Sequence, residues 1–193
     1  MKPEYKIISD LIEKDAKVLD VGCDDGTLME FLKTNKNANI RGIEISKEKV
    51  QICIAKGLTV IEGNAEFDLK QFPNDSFEYV VLGQTLQAFI NPETVIKELL
   101  RVGNKAIVTI PNFGHWKVRL NLLFKGTMPI TNSLPHDWYN TPNIHMCTIK
   151  DFVRFSTVSY THLRAHETRE DRGWRRVGGK KKGGGGGGGG GGG

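Results

Sequence analysis

Hydrophobic and polar positions change period several times along the first 110 residues. Apolar residues at positions 7, 8, 11 and 12 have the one-sided spacing of an amphipathic helix. Short runs that are mainly apolar then alternate with one-sided helical stretches; the runs are residues 16–21, 39–45, 58–63, 77–83 and 105–110. Apolar strands that alternate with helices are typical of a parallel sheet covered on both faces. The pattern predicts a doubly wound, mostly parallel α/β domain.

Capping residues mark where the helices between these strands begin and end. Thr27 and Glu30 have the spacing of a capping box at the start of the second helix. Ser46 precedes the third helix, and a later helix begins at Asn91 and Pro92 and ends at Gly103. Each predicted helix therefore follows a strand after a short turn.

Beyond about Phe155 the sequence changes character. All five net positive charges of the chain lie in residues 156–193, so residues 1–155 carry equal numbers of acidic and basic side chains. The run from Gly183 to Gly193 has no side chains to bury. Residues 158–168, "VSYTHLRAHET", resemble a translated sequencing adapter. We therefore interpret 1–155 as one truncated domain and 156–193 as a non-native, disordered tail, in preference to a basic arm that binds nucleic acid.

Composition restricts the compartment and the chemistry. The chain has no apolar run of the ~20 residues that span a bilayer, and its first residues lack the apolar stretch of a secretory signal, which predicts a cytoplasmic protein. Cys23, Cys53 and Cys147 are widely spaced and odd in number, which favours reduced thiols. The histidines are equally scattered, so no metal site is predicted.

A glycine turn follows the first predicted strand. It runs from Asp20 to Gly26 and contains Gly22, and Glu44 ends the second strand 24 residues after Asp20. In a doubly wound sheet, ligands bind at the carboxyl ends of the strands, near the point where the strand order reverses. Gly22 permits a tight turn close to a ligand, and the Glu44 carboxylate can accept bonds from both hydroxyls of a ribose. The turn predicts an adenosine site, although a ligand-free helix-capping turn is the open alternative.

The acidic residues of the turn indicate which adenosine ligand binds. A dinucleotide turn has the spacing G-x-G-x-x-G, whereas this turn reads D-x-G-x-D-x-G. Carboxylates at Asp20, Asp24 and Asp25 repel a diphosphate and attract the ammonium and sulfonium groups of S-adenosylmethionine. The predicted cofactor-binding residues are Asp20, Gly22, Asp24, Gly26, Glu44, Ile45, Asn64, Ala65 and Gln84.

A long segment follows the fifth strand. The 37 residues from Pro111 to Cys147 far exceed the usual two to six of such a connection. The segment contains Trp116, Arg119 and Trp138, residue types that anchor interfaces. We interpret it as a functional cap; a solvated insertion is the alternative.

Four motifs identify a family. "GQTLQAF" (83–89), "PNFGHWKVRL" (111–120), "MPIT" (128–131) and "WYNTPNIHMCTIKDF" (138–152) closely resemble the methionine biosynthesis protein MetW, a class I methyltransferase-like family. The resemblance implies an S-adenosylmethionine-binding partner or regulator of homoserine O-acetyltransferase, which the cap would contact. The alternative is an active small-molecule methyltransferase with its acceptor under the cap. His115 and Tyr139 are candidate bases on chemistry alone, a structural or partner-facing role is favoured for each, and no catalytic residue is assigned.

The resemblance also implies a Rossmann-like fold with two more strands after the helix at "TIKDFVRF", one of them antiparallel beside strand five. Because the tail lacks sustained apolar alternation, we expect these C-terminal strands to be missing. Asp24 stands where methyltransferases usually have glycine. Asp is among the few residues that tolerate a positive φ, so we expect the turn to be kept.

Overall fold

The computed structural model describes residues 2–131, 135–159, 163–165 and 174–177. The helices are α1 (Pro3–Leu11), α2 (Thr27–Lys36), α3 (Lys47–Ala55), α4 (Ala65–Asp68), α5 (Pro92–Val102), α6 (Trp116–Lys125) and α7 (Ile149–Ser159). The strands are β1 (Lys17–Val21), β2 (Asn39–Glu44), β3 (Thr59–Glu62), β4 (Phe77–Gly83), β5 (Gly103–Thr109), β6 (Leu163–Ala165) and β7 (Trp174–Val177). Short 3-10 turns occupy Leu69–Gln71 and Leu86–Ala88.

The strands form one sheet in the order β3-β2-β1-β4-β5-β7-β6. The first five are parallel, and β7 is antiparallel to both β5 and β6. Alternate residues of β1 enter different cores: Val18 packs with the α1 and α2 side, and Leu19 packs with the α5 side. The predicted doubly wound, mostly parallel sheet is therefore confirmed, and its core lies on both faces.

The strand order places a crevice at one edge of the sheet. From β1 the chain proceeds outward to β3 and then crosses back to β4, which pairs with the other side of β1. Val21, at the end of β1, lies beside Leu82 near the end of β4. Connections leave in opposite directions at this point, so the carboxyl ends of β1 and β4 border a crevice.

The predicted capping box at α2 is wrong, because the turn before the helix is built differently. Gly26 is the N-cap, with a left-handed φ of 76°. The Asp25 carboxylate accepts bonds from the Thr27 amide at 3.0 Å and from the Thr27 hydroxyl at 2.6 Å. Glu30 instead pairs with Lys56, with Oε2 3.0 Å from Nζ. Asp25 therefore occupies the hydroxyl that a capping box would use.

The expected absence of C-terminal strands is also wrong. Helix α7 continues to Ser159, and residues 174–177 pair with β5 from Ala106 to Thr109. This pairing uses backbone groups only, so four extended residues satisfy it without the apolar alternation that we required of the tail. The edge of β5 is thus paired. Residues 160–162, 166–173 and 178–193 of the predicted tail lie outside the described residues.

Among the helices of the described ranges, none combines the length and the apolar character needed to cross a membrane.

Gly26 and Gly57 have similar backbone conformations, and together they test how tightly side chains pack beneath the turn before α2. Gly26 has a φ of 76° and Gly57 a φ of 71°. A Cβ on Gly26 would overlap the Leu58 side chain and lie 3.0 Å from Cys53 Sγ, whereas a Cβ on Gly57 would meet nothing within 4 Å. We expect Gly26→Ala to lower the free energy of unfolding by about 2 to 4 kcal/mol, since backbone strain and overpacking add.

Gly57→Ala carries the backbone strain alone, about 1 to 2 kcal/mol. Urea unfolding of both variants measures the difference. Equal losses would mean that the space under Gly26 is not filled as described.

Candidate cofactor-binding site

A cleft of about 360 Å³ lies at the carboxyl ends of the central strands. This volume is within the range of small-molecule sites, which is about 300 to 1,000 Å³. Five predicted residues line it: Gly22, Glu44, Ile45, Asn64 and Ala65. The cleft also includes residues that the sequence analysis missed, namely Thr85, Phe89, Ile90 and Ile144. The predicted residues Asp20, Asp24, Gly26 and Gln84 lie around the cleft rather than in its wall.

The Glu44 carboxylate is held by two backbone amides. Its Oε2 accepts a bond from the Asp24 N–H at 3.0 Å, and its Oε1 accepts one from the Ser46 N–H at 2.9 Å. Glu44 is only 7% exposed and lines the cleft. Each carboxylate oxygen can accept a further bond. The group is therefore fixed in orientation and retains acceptor capacity.

Glycine is required at position 22 by both conformation and space. Gly22 has a φ of 70°, and its N–H donates to the Ile43 carbonyl at 2.8 Å. A Cβ here would lie 3.1 Å from the Thr85 side chain, which leaves no room for larger residues. Asp24 has a φ of 52°, so the expected left-handed aspartate is confirmed.

Acidic groups gather beneath and beside the turn. Burial raises the pKa of Asp20 to about 7, and the neighbouring carboxylates of Glu44 and Asp24 add to the rise. Asp20 is 2% exposed, and its Oδ2 has no hydrogen-bond partner among the described residues. Asp24 forms an ion pair with Lys49 at 2.6 Å. The carboxyl groups of Asp20, Asp24 and Glu44 therefore meet at this end of the crevice.

The first turn of α1 lies at the same end of the crevice. Gln84 has a φ of 51°, and its Nε2 donates to Glu4 Oε2 at 3.4 Å. The pKa of Tyr5 rises to about 12, chiefly through burial and then through nearby carboxylates, of which Glu4 and Asp25 are the foremost. Glu4 and Tyr5 were not predicted, since 80 residues separate Glu4 from Gln84 and no local pattern connects them.

Asn64 begins helix α4 at the far end of the cleft. Its Oδ1 accepts a bond from the Glu66 N–H at 3.0 Å, and its own N–H donates to Asp68 Oδ2 at 2.7 Å. With its carbonyl oxygen used as the helix cap, the Asn64 side chain offers its NH₂ group as a donor.

The segment from Pro111 to Cys147 reaches the cleft through Ile144. The N–H groups of Ile144 and His145 both donate to the Gln87 carbonyl, at 2.8 and 3.0 Å. Ile144 lines the cleft, so part of this segment does lie over the site. The segment also contains helix α6, which the sequence analysis did not predict. Its helical residues are apolar on two faces, which hides the one-sided period used for prediction.

The two candidate bases, His115 and Tyr139, lie outside the wall of the cleft. His115 caps α6, with Nδ1 accepting a bond from the Lys117 N–H at 3.3 Å. Tyr139 is 71% exposed, and its hydroxyl contacts Asp137 at 3.5 Å. Neither residue lines the cleft.

A separate void of about 20 Å³ lies within the cap. It is bordered by cap residues that include Phe113 and Trp138, and it has room for about one water molecule.

Solved structures define the class of fold. A SAM-dependent methyltransferase from Aquifex aeolicus superposes with a TM-score of 0.64 at 12% identity, covering 91% of this chain and 89% of that one. A TehB-like SAM-dependent methyltransferase from Corynebacterium glutamicum gives 0.62 at 11% identity, covering 92% and 87%. At such low identity the likeness concerns the fold alone. The molecule has the class I methyltransferase fold.

Sequence similarity narrows this class to one family. The chain matches the family of the methionine biosynthesis protein MetW over residues 2–177, and it belongs to that family. The bifunctional methionine biosynthesis protein MetXA/MetW of Rhodopirellula baltica is 32% identical over 153 residues, which are 75% of this chain and 25% of that protein. A demethylmenaquinone methyltransferase of Listeria welshimeri is 30% identical over 134 residues, 62% of this chain and 56% of that enzyme. The chain thus spans about a quarter and about half of these relatives.

The buried Asp20 predicts a pH-dependent stability. Its folded-state pKa of about 7 lies above the unfolded value of about 3.9, so the folded chain binds more protons at this group between these values. The stability contributed by this carboxyl is therefore full below pH 4 and falls as the pH rises to about 7. We expect Asp20→Asn to raise the melting temperature, relative to the parent chain, by several degrees more at pH 8 than at pH 5.

Melting curves at the two pH values measure this difference. Any effect of the new amide on the melting temperature that is the same at both pH values cancels in the comparison. Asp10→Asn, which removes an exposed carboxylate, is the control. The same offset at both pH values in Asp20→Asn would contradict the assigned titration.

Proposed function

We propose that the cleft binds S-adenosylmethionine and its product S-adenosylhomocysteine. The observation that carries this proposal is the Glu44 carboxylate, which both lines the cleft and is fixed by the Asp24 and Ser46 amides. A preoriented carboxylate suits the two adjacent hydroxyls of a ribose, since each oxygen accepts one bond. Ile45, 66% exposed beside it, offers an apolar surface to the adenine ring.

Charge favours a cationic ligand over a dinucleotide. The described residues that line the cleft include Glu44 and Glu66 and no lysine or arginine. Asp20, Asp24 and Glu4 add carboxyl groups at the end near β1 and β4. A diphosphate here would meet like charge, whereas the ammonium and sulfonium groups of S-adenosylmethionine meet opposite charge.

The role that we assign to this site is regulation within methionine biosynthesis, with homoserine O-acetyltransferase as the partner. Membership of the MetW family supports the pathway. The relative in Rhodopirellula baltica supports the partner, since its name joins MetXA and MetW in one protein and this chain matches only 25% of its length. The cap supplies exposed side chains for contact: Trp116 is 60% and Trp138 is 72% exposed, and Arg119 is also exposed.

The alternative, methyl transfer to a small acceptor, has less support from the geometry. A methyltransferase places an acceptor atom in line with the sulfonium carbon and supplies a base when the acceptor must lose a proton. His115 is occupied as a helix cap, and the void of about 20 Å³ in the cap is far smaller than an organic acceptor. The regulatory role is therefore the function that the arrangement supports best.

Replacing Glu44 tests the ligand. We expect Glu44→Ala to weaken the binding of S-adenosylmethionine by about 1.5 to 3 kcal/mol, since charge-assisted bonds are lost. This corresponds to a dissociation constant about 10- to 150-fold higher, measured by calorimetry.

The matched control is Glu62→Ala, because Glu62 lies opposite Glu44 on the neighbouring strand and is exposed. Thermal unfolding checks that both variants are folded. Calorimetry without heat from either ligand on the folded parent chain would end the proposal.

The regulatory role predicts an effect on the acetyltransferase itself. The turnover of homoserine O-acetyltransferase is measured with and without this chain, each with and without S-adenosylmethionine. We expect the chain to change the turnover and the ligand to alter that change. Glu44→Ala should keep the first effect and lose the second, because it leaves the cap in place. Turnover that is the same with and without the chain would refute the role, whatever the cleft binds.

A further inference from the structure

Helix α6 carries large apolar side chains on the side that faces away from the domain. Val118 is 2% exposed and packs inward. On the opposite side lie four residues that we call the outer stripe: Trp116, Leu120, Leu123 and Phe124, with exposures of 60%, 41%, 74% and 78%. At about 100° per residue these four occupy an arc of about 100° on a side opposite to Val118. The helix is thus apolar on two faces, and only one is covered.

Positive charges border the outer stripe on both sides. On the same helical projection Lys117 lies just beyond one edge of the stripe and Arg119 just beyond the other. Lys117 also lies over the Trp116 ring, with Nζ 5.7 Å from the ring centroid. Helix α6 has no aspartate or glutamate. The exposed face is therefore an apolar strip between two cationic margins.

The outer stripe is also preformed. His115 caps the start of α6, and Gly126 ends it with a φ of 64° and an N–H bond to the Leu122 carbonyl at 3.1 Å. A helix that is capped at both ends pays little ordering entropy when it binds. Helices that are apolar on both faces are normally buried on both. These features are those of a docking helix rather than of a solvated surface.

We propose that the outer stripe inserts into an apolar groove on the partner protein whose rims carry carboxylates. The spacing i, i+4, i+7, i+8 from Trp116 to Phe124 is that of helix-in-groove recognition. This inference rests on the proposed function, in which the partner is homoserine O-acetyltransferase. It locates the contact on α6, and within it on Leu123 and Phe124.

Two observations favour homoserine O-acetyltransferase as the protein that binds the outer stripe: the positive charges of α6, and the joining of MetXA and MetW in one relative. A second copy of the chain would bring its own Lys117 and Arg119 to the same margins, and like charges would meet. An anionic partner surface is the complement of these margins. The MetXA/MetW protein keeps its two parts in one chain, which favours a protein partner over a lipid surface.

The test compares a stripe variant with a matched surface variant in the full chain. Leu123→Asp with Phe124→Asp places charge in the outer stripe. Ile52→Asp with Ile54→Asp does the same on α3, where the two isoleucines are 45% and 58% exposed. We expect the stripe variant to bind immobilised homoserine O-acetyltransferase about 30-fold or more weakly and the α3 variant to bind within about 2-fold of the parent chain. Both should bind S-adenosylmethionine as the parent does, which verifies the fold.

Charge reversal provides a second variant that leaves the apolar residues in place. Lys117→Glu with Arg119→Glu should weaken binding, and added salt should weaken the parent chain more than this variant.

The possible outcomes separate the two proposals. No binding by the parent chain refutes the proposed partner. If the parent chain, the stripe variant and the charge-reversal variant all bind the acetyltransferase equally, the docking inference is overturned, although the acetyltransferase remains the partner. Binding of the parent chain to phosphatidylglycerol vesicles instead of the acetyltransferase assigns the stripe to a membrane surface. A dimer of the parent chain that the stripe variants lose, without binding to the acetyltransferase, assigns the stripe to self-association.

Discussion

The carboxylate of Glu44 joins the turn after β1 to the turn after β2. One oxygen receives the Asp24 N–H, and the other receives the Ser46 N–H. Ser46 in turn caps α3 through the Lys49 N–H, and the Lys49 ammonium returns to Asp24. The closed circuit depends on Glu44, because its two charge-assisted bonds are partly buried, whereas the other two contacts are exposed. It fixes the wall of the cleft and the left-handed Asp24 together.

This circuit concentrates negative charge, and the surrounding structure compensates only part of it. Lys49 neutralises Asp24, and Lys56 donates to the Asp25 carbonyl at 2.8 Å. Asp20 is 2% exposed, and its raised pKa removes part of its charge by protonation. The Glu44 carboxylate keeps its place facing the cleft. A ligand that brings positive charge therefore completes the electrostatics, whereas a diphosphate would add to the repulsion.

Apart from the capping box at α2, sequence patterns predicted the features that are local in the chain and failed where distant segments decide. The five parallel strands, the Ser46 cap and the left-handed Asp24 depend on neighbours within a few residues, and the structure confirms them. The contact between Glu4 and Gln84 depends on how α1 packs across the crevice, which periodicity does not encode. Strand β7 pairs through its backbone, and its sequence WRRV lacks the apolar alternation that predicts a strand.

The length and residue types of the segment after β5 predicted a cap but not its architecture. Helix α6 escaped detection because apolar residues on two faces cancel the one-sided pattern, and only the exposures separate the inward Val118 from the outward Phe124. His115 was a candidate base for which a structural or partner-facing role was favoured, and it is a helix cap. Residue type alone did not distinguish these roles, since each depends on what the side chain faces.

The cap connects the interior of the site to its outer surface within one segment. Its base is closed by a bond from the Phe113 N–H to the Cys147 carbonyl at 3.1 Å, and Ile144 enters the cleft beside it. The outer stripe lies in the same segment, on the side away from the domain. This arrangement suits the proposed regulatory role, in which one segment would contact both ligand and partner. Protein contacts also hold the polar groups around the cleft in position: Glu44 by two amides, Asn64 by the helix that it caps and Gln84 by Glu4. They give the cleft a fixed wall that still has bonding capacity for a ligand, which the proposed regulatory role requires.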